Sequence, residues 1–158
     1  MNERSFRRAT RTDMDWLYEM FRTTMRQYIE ATWGWDELFQ HHGFHDNLPP
    51  SSFTVAMVNN VDAGACSVLQ KRDCLWVEMV IVAPPYQRQG LGAALIQLAQ
   101  QRARASEQPL RLSVLKVNPA RQFYDRLGFR ATEEDRWSLK MEWSGDAPLQ
   151  AQPGLNPN

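Results

Sequence analysis

Residues 87–92, with the sequence Gln-Arg-Gln-Gly-Leu-Gly, are the part of this chain most suited to binding a phosphate group. The apolar run 76–82 before them predicts a buried strand, and the helix-forming run 93–100 follows them. A strand, a glycine-containing turn and a helix in that order direct several unpaired N–H groups toward one point, at the positive end of the helix dipole. We therefore predict a site for a phosphorylated cofactor here, with the Arg88 guanidinium as an additional donor.

Two widespread phosphate motifs do not fit this loop. The dinucleotide fingerprint requires a third Gly or Ala where this chain has Leu95, and an acidic residue about 20 residues further on, where it has Arg111 and Leu112. A P-loop requires Gly-Lys-Ser/Thr, whereas Gly92 is followed by Ala93. Taken alone, the glycine pair is also compatible with an ordinary turn.

The length, composition and net charge of the chain are those of one ordinary globular domain. Of the 158 residues, 43% are hydrophobic and 23% charged, which is enough to bury a core. Lys and Arg number 18, as do Asp and Glu, so the formal net charge is 0 and no basic surplus favours a nucleic-acid partner. Because no apolar run approaches the roughly 20 residues of a membrane span and the N-terminus lacks the apolar core of a signal peptide, we expect a cytoplasmic protein without membrane contact.

The cysteines and histidines predict neither a disulfide framework nor a metal site. Cys66 and Cys74 are too few for a disulfide scaffold or a structural zinc site, and we expect two buried thiols. His41, His42 and His45 are irregularly spaced without a nearby cysteine, so we expect solvated side chains near a helix end.

Hydrophobic periodicity and turn residues predict a mixed set of strands and helices. The predicted strands are residues 5–9, 53–58, 65–70, 76–82, 110–115, 129–133 and 137–143, with a hairpin turn at 59–60, and the predicted helices begin near 12, 35, 93 and 119. Thr12 is the expected N-cap of the first helix and Asn118 that of the last, which Gly128 ends. We expect the second helix to end near His42.

This order of elements predicts one mixed α/β domain, because strand and helix alternate too rarely for a doubly wound sheet. We place the domain at residues 1–143. The composition of residues 144–158 turns to Gly, Pro, Gln and Asn, which predicts a disordered tail.

Two segments, read together, resemble the GNAT superfamily of N-acetyltransferases. They are the loop 87–92 after its Val-x-Val strand, and the later run Asn118-Pro119-Ala120, Phe123-Tyr124 and Leu127-Gly128-Phe129. Their order and spacing both match the family, and the resemblance extends over roughly residues 4–143. It implies an α/β (α+β) fold: a single GNAT-like domain whose central mixed, mostly antiparallel sheet splays at the cofactor cleft and is flanked by helices.

The resemblance implies acetyl-CoA as the acyl donor, held in a cleft near residues 112–115. Its diphosphate would lie on N–H groups of the loop, with Gln87 where the family often has Arg. Main-chain groups of Val80 and Val82 would pair with the pantetheine arm, and an N–H near Val80 would polarise the thioester carbonyl. The implied cofactor contacts are Val80, Ile81, Val82, Gln87, Arg88, Gln89, Gly90, Leu91, Gly92, Ala93, Asn118, Ala120 and Tyr124.

Amine acetylation needs a neutral amine, an electrophilic carbonyl and a proton for the leaving thiolate, and two residues are candidates for the proton transfers. The resemblance places Tyr124 beside the sulfur as the general acid, because a phenol with a pKa of about 10 keeps its proton at neutral pH. Glu78 interrupts the apolar strand two residues before Val80, so simple alternation places both on one face and makes Glu78 the candidate base. Alternatively, Tyr124 is a core aromatic residue, and Glu78 is a salt-bridged or solvated carboxylate.

The first two predicted helices meet in a stretch rich in aromatic and acidic residues, which in this fold overhangs the acceptor site. Tyr28, Trp33, Trp35 and Glu37 are therefore candidate substrate contacts that would enclose a cationic amine. Packing anchors and a charged first helical turn are the alternatives.

The resulting prediction is an acetyl-CoA-dependent N-acetyltransferase that moves an acetyl group directly to a primary amine of a small molecule or peptide in a ternary complex. A non-catalytic acyl-CoA-binding module is the alternative, and a longer acyl chain is also open. A homodimer through the last strands is usual in such a family, although no residue here specifies one. No metal, nucleic-acid or membrane partner is expected.

Overall fold

A computed structural model describes residues 2–145. The strands are β1 (Arg4–Arg8), β2 (Phe53–Val58), β3 (Val61–Gln70), β4 (Leu75–Val82), β5 (Leu110–Leu115), β6 (Arg130–Glu134) and β7 (Ser138–Trp143), and the α-helices are α1 (Met14–Trp33), α2 (Glu37–Asn47), α3 (Leu91–Ala105) and α4 (Arg121–Arg126). Within these residues, seven strands form one sheet in the order β1-β2-β3-β4-β5-β7-β6. All neighbouring strands are antiparallel except β4 and β5. The predicted mixed, mostly antiparallel sheet flanked by helices is confirmed.

The parallel pair at the centre of the sheet opens into a cleft. β4 and β5 pair only where Leu75 faces Leu110 and Trp76 faces Arg111. Beyond that point β4 stays paired with β3 and β5 with β7, so the two central strands diverge toward their C-terminal ends. The sheet therefore splays where the family resemblance implies it should.

Each face of the sheet buries its own apolar core. On one face, Leu95 and Ile96 of α3 are buried in one core with Val77 and Leu112. On the other face, the apolar stripes of α1 and α2 are buried in a second core with β2 and β4; its members include Leu17, Phe21, Phe44, Val55 and Ile81. Because both helical layers are anchored by buried apolar side chains, the loops between them are held in fixed positions around the cleft.

Several helix ends differ from the predictions. The N-cap of α1 is Asp13 rather than Thr12. Thr10 caps the short 3-10 turn Arg11–Asp13 before it, where the main-chain N–H of Thr10 donates to Asp13 Oδ2 at 2.7 Å, as in a capping box. Asp36 caps α2 by accepting from Phe39 N at 3.0 Å. That helix continues to Asn47, past the predicted end near His42, because its buried Phe44 anchors the last turns.

Residues 146–158 of the predicted tail lie outside the described residues, whereas Gly145 lies beside Arg104 of α3. Among residues 2–145, no helix is both long and apolar enough to cross a membrane.

Candidate active site

The space between the splayed strands is a cleft of about 720 Å³. Twelve of the thirteen predicted cofactor contacts line it, and the exception is Gln89. Residues that were not among the predicted cofactor, catalytic or acceptor contacts also line it, among them Thr24, Met25, Tyr86, Ser113, Phe123 and Arg126. The helical spacing of Thr24 to the predicted contact Tyr28 is a signal that could have identified Thr24.

The free edge of β4 presents main-chain hydrogen-bonding groups to the cleft. Ala83 N donates to Ala63 O at 2.8 Å, so the main-chain groups of Ala83 face β3. Alternation along the strand then turns those of Val82 and Val80 toward the opposite edge. Gln87 Nε2 donates to Val82 O at 2.9 Å from that side, which satisfies one of these carbonyl groups and ties the loop to the strand.

The start of α3 leaves a group of N–H donors free at the end of the cleft. Gly90 precedes the helix at φ +83°, a left-handed conformation that favours glycine, and its carbonyl accepts from Ala94 N at 3.0 Å. Because this is the first bond of the helix, the N–H groups of residues 90–93 lack helical acceptors, and no side chain within residues 2–145 caps them. The N-terminal end of α3 is therefore a site for an anion.

Contacts from distant residues hold this loop. The Arg4 guanidinium of β1 donates to Gln89 O, so Gln89 braces the loop through its carbonyl rather than lining the cleft. A Cβ at Gly92 would lie 3.4 Å from Phe123 Cζ and 3.7 Å from Val82 Cγ2, which is ordinary van der Waals contact. Of the two glycines, Gly90 is thus the one whose backbone conformation favours glycine.

Two cationic side chains in the cleft have no counter-ion among the described residues. Arg88 and Arg126 line the cleft and are exposed, and neither makes an ion pair within residues 2–145. Guanidinium groups bind phosphate oxygens with paired N–H donors. Both are therefore available to a phosphorylated ligand.

Tyr124 lies on α4 with its ring buried between two aromatic neighbours. The ring centroids of Phe123 and Phe129 are 4.9 and 5.6 Å away, both at edge-to-face angles. Burial, with a smaller contribution from Cys66, raises the pKa of Tyr124 above its ordinary value. Its hydroxyl has no hydrogen-bond partner within residues 2–145, and Tyr124 is among the residues that line the cleft.

Asn118 does not cap α4 directly, in contrast to the prediction. The N-cap is Ala120, and Asn118 Oδ1 accepts from Ala120 N at 3.0 Å, which closes the turn before the helix. Gly128 has φ +93°, as expected after the end of a helix.

Glu78 is the extra residue of a β-bulge. Ser67 pairs with Met79 and Val68 with Val77, so Glu78 has no partner position on β3. The bulge shifts the alternation, since Val77 and Val80 contact the same core. Simple alternation therefore does not hold across Glu78, and the shared face of Glu78 and Val80 stays a prediction. The Glu78 side chain is exposed and lines the cleft, and it makes no hydrogen bond or ion pair within residues 2–145. The salt-bridged alternative is therefore excluded for this part of the chain.

Of the four predicted acceptor contacts, only Tyr28 lines the cleft in the described chain. Trp33 is 60% exposed, and its ring centroid lies 6.2 Å from that of Trp137 before β7. Trp35 Nε1 donates to Glu37 Oε1 at 3.0 Å, and Glu37 also accepts from the Tyr18 hydroxyl.

These hydrogen bonds join α1 to α2. Donation from Tyr18 lowers the pKa of Glu37, and burial together with that carboxylate raises the pKa of Tyr18 to about 12. The packing role of Trp35 and Glu37 is thus visible, and their role as substrate contacts stays a prediction.

The histidines are only partly solvated. His45 Nδ1 bonds to His41 O at 2.9 Å, and the two rings stack with centroids 4.2 Å apart. His45 Nε2 is buried without a hydrogen-bond partner in the described chain, so the expectation of solvated histidines is wrong for His45. Among residues 2–145, no group of three or more His, Cys, Asp or Glu side chains could hold a metal ion.

The sequence matches the acetyltransferase (GNAT) domain family over residues 26–141. This match covers more than half of the chain, and the chain therefore belongs to the GNAT acetyltransferase family. No curated protein sequence matches the chain significantly.

Solved structures of acetyltransferases share the fold. The PaiA N-acetyltransferase from Thermoplasma acidophilum, in complex with coenzyme A, is 16% identical with a TM-score of 0.73 over 90% of this chain and 99% of that one. The ribosomal-protein-S18-alanine N-acetyltransferase from Escherichia coli is 19% identical, with a TM-score of 0.68 over 90% and 94%. Nourseothricin acetyltransferase is 30% identical, with a TM-score of 0.55 over 61% and 65%.

Acetyl-CoA, the cofactor of this family, fits the donors of the cleft. Within residues 2–145, the uncapped start of α3 and the unpaired Arg88 and Arg126 suit phosphate groups, and the free edge of β4 suits the amides of an extended arm. The chain is thus a member of the GNAT acetyltransferase family, and the cleft between β4, β5 and α3 is its candidate coenzyme A site.

Proposed function

We propose that this protein is an acetyl-CoA-dependent N-acetyltransferase that moves the acetyl group to a primary amine of a small molecule or peptide, by direct transfer in a ternary complex. The observation that carries the proposal is that Tyr124 and Glu78, whose side chains make no hydrogen bond or ion pair within residues 2–145, line the same cleft as the free edge of β4. An acid, a base and main-chain donors in one cleft match the needs of amine acylation.

Each end of the cleft would hold a different part of the cofactor. Residues 88–93 and the Arg126 guanidinium would bind phosphate groups, and main-chain groups of Val80 and Val82 would bind the pantetheine amides. Asn118, Ala120 and the Gln87 side chain would shape the wall around them. Bound acetyl-CoA would supply the acetyl group as a thioester.

Two side chains would handle the protons. Glu78 is exposed and lines the cleft, so its carboxylate can accept a proton from an incoming ammonium, directly or through a water molecule. Because burial raises the pKa of Tyr124, its Oη keeps a proton at neutral pH and can donate it inside the cleft.

The acceptor would enter along α1. Thr24, Met25 and Tyr28 line the cleft on this side, and Glu78 is the one carboxylate among the lining residues of the described chain. One negative charge beside half-buried apolar groups suits an amine with a single cationic centre. Trp33 would be an outer contact, and Trp35 and Glu37 would shape the site by holding α2 against α1.

The test is a thiol-release assay with acetyl-CoA across amino acids, polyamines, aminoglycosides, nourseothricin and peptides with a free N-terminus. We expect turnover with at least one amine, and loss of turnover in Tyr124→Phe and Glu78→Gln while coenzyme A binding persists. Coenzyme A binding without thiol release over the whole panel would instead favour a non-catalytic acyl-CoA-binding module.

A further inference from the structure

A second cavity lies on the α3 side of the sheet, away from the coenzyme A cleft. Its volume is about 490 Å³, within the range of small-molecule sites. Residues 49–54, β3 and the second half of α3 enclose it, together with Arg8 at the end of β1. The two cavities share no lining residue within the described chain, so a ligand in one does not occupy the other.

The sheet register shows how the floor of this cavity is built. Arg8 pairs with Thr54, Thr54 with Cys66, and Cys66 with Val80. Cross-strand partners project from the same face of a sheet, so these four side chains form one row. Arg8, Thr54 and Cys66 of this row line the second cavity, and Val80, at the end of the row, lines the coenzyme A cleft.

Four polar side chains line the cavity without partners. Arg8, Ser51, Thr54 and Arg102 make no side-chain hydrogen bond or ion pair within residues 2–145. No Asp or Glu stands among the lining residues of the described chain, so the cavity carries two uncompensated positive charges. Arg8 and Arg102 are exposed, which lets their guanidinium groups turn toward a ligand.

The remaining wall is largely apolar. It includes Val68 of β3 and Leu95, Leu98 and Ala99 of α3. A ligand that fits both the polar side chains and the apolar wall of the cavity has an anionic group for the arginines and a short apolar body for this wall.

We propose that this cavity is a second binding site, which takes a small organic carboxylate with a short apolar body. The Arg8 and Arg102 guanidinium groups bind the carboxylate, and the Ser51 and Thr54 hydroxyls donate to its remaining lone pairs. The apolar body lies against α3. The inference is independent of the proposed acetyl transfer, because it concerns different residues and predicts binding rather than turnover.

Calorimetric titration of octanoate into protein already saturated with coenzyme A tests the proposal. We expect saturable binding that weakens as salt is added, and no binding of the neutral amide octanamide. Arg8→Gln and Arg102→Gln should each weaken octanoate binding roughly tenfold, since each removes a charge-assisted hydrogen bond. Arg11→Gln, which removes an exposed arginine that does not line the cavity, should leave binding unchanged.

Four outcomes would overturn the proposal. They are the absence of octanoate binding, binding of octanamide or of inorganic phosphate as tight as that of octanoate, and a loss of octanoate binding in Arg11→Gln as large as in the Arg8 and Arg102 variants. Loss of octanoate binding on saturation with coenzyme A would place the octanoate in the cleft instead. Thermal unfolding of each variant shows that it is folded, which these exposed substitutions should preserve.

Discussion

Gln100 of α3 donates from its side-chain Nε2 to the carbonyl oxygen of Leu127, just after α4, over 2.8 Å. Gln100 is a buried polar residue, and this is a contact between positions 27 apart in the sequence. α3 begins at the phosphate loop and α4 carries Tyr124, whose carbonyl accepts from Leu127 N at 3.0 Å. One side chain thus connects the two halves of the candidate active site.

Gln100→Leu removes this donor at nearly constant side-chain volume. The Leu127 carbonyl then loses its partner in a part-buried position, so we expect the free energy of unfolding to fall by about 1–3 kcal/mol. Because the end of α4 loosens, the acetyl-transfer rate should fall while coenzyme A affinity changes little. Urea denaturation and the thiol-release assay measure the two effects.

Gln97→Leu is the matched control, because Gln97 is exposed on the same helix. Its free energy of unfolding should stay within about 0.5 kcal/mol of the wild-type value. Equal destabilisation of both variants would contradict a specific role for the contact between Gln100 and Leu127.

The contact also shows the limit of prediction from sequence. The strand, turn and helix around loop 87–92 were predictable, because its glycines, its apolar strand and its helix are local features within residues 76–100. The partner of Gln100 was not, because a glutamine in a helix carries no mark of the residue that it contacts after folding. The bulge at Glu78 was missed for the same reason, since it depends on how β3 and β4 pair.

The left-handed conformation of Gly90 gives a stability prediction. Gly90→Ala places a Cβ at φ +83°, which should lower the free energy of unfolding by about 1–2 kcal/mol. The added Cβ would also lie 3.4 Å from Arg4 Nη2, which braces the loop. We therefore expect weaker coenzyme A binding by calorimetry.

Gly43→Ala is the control for this substitution. Gly43 lies inside α2, where a Cβ would have only a 3.9 Å contact with Asn47 Nδ2. It should raise the free energy of unfolding by about 0.5–1 kcal/mol and leave coenzyme A binding unchanged. If Gly43→Ala were less stable than the wild type and Gly90→Ala were as stable as it, the backbone conformations described would be contradicted.

The ion pair between Arg7 and Asp13 gives a pH prediction. Hydrogen bonds from Arg7 at 2.9 Å, with help from Thr10, lower the pKa of Asp13 from 3.8 to about 2. A carboxyl group with a lower pKa in the folded state stabilises the fold above pH 3.8, and this contribution is lost as the pH falls through about 2.

Asp13→Asn should therefore be less stable than the wild type at pH 7, by roughly 1–3 kcal/mol, and should lose less stability between about pH 4 and pH 2. Urea denaturation across this range measures both effects. Asp73→Asn, in an exposed turn, should show the same dependence of the free energy of unfolding on pH as the wild type. If the free energies of unfolding of the wild type and Asp13→Asn changed equally between about pH 4 and pH 2, Asp13 would not titrate as described.

Tyr124→Phe removes the hydroxyl and keeps the ring between Phe123 and Phe129. We expect an acetyl-transfer rate about a hundredfold lower, the scale of a lost general acid, with coenzyme A affinity unchanged. Because burial raises the pKa of Tyr124 above 10.0, the wild-type rate should show no alkaline decline from this residue below about pH 10. An equal rate in Tyr124→Phe would remove the hydroxyl from the mechanism.

In the candidate site, too, local features were predictable from the sequence and long-range contacts were not. The segment around Tyr124 was recognisable because Asn118, Gly128 and the aromatic residues lie within a dozen positions of one another. The predicted contact Trp35, between α1 and α2, bonds to Glu37 at the start of α2, because Tyr18 and Phe21 of α1 present a surface that binds them. Residue type alone did not distinguish a packing role from a substrate contact.

Glu78→Gln tests the proposed base. A carboxylate accepts a proton only when ionised, so a rate that depends on a carboxylate base has an acidic limb. The glutamine variant cannot ionise, so we expect a rate at least about a hundredfold lower at neutral pH and the loss of this acidic limb. Its fold should be unaffected, because Glu78 is exposed and makes no hydrogen bond or ion pair within residues 2–145.

The matched control is Glu107→Gln, an exposed carboxylate outside the lining of the cleft, which should retain the wild-type rate and pH profile. Unfolding by urea and the affinity for coenzyme A should be equal in both variants. Since these two measurements exclude a change in stability or cofactor binding, the pH–rate profile reports on proton transfer. An acidic limb that persists in Glu78→Gln would assign the proton acceptor to another group and leave Glu78 with at most an electrostatic role.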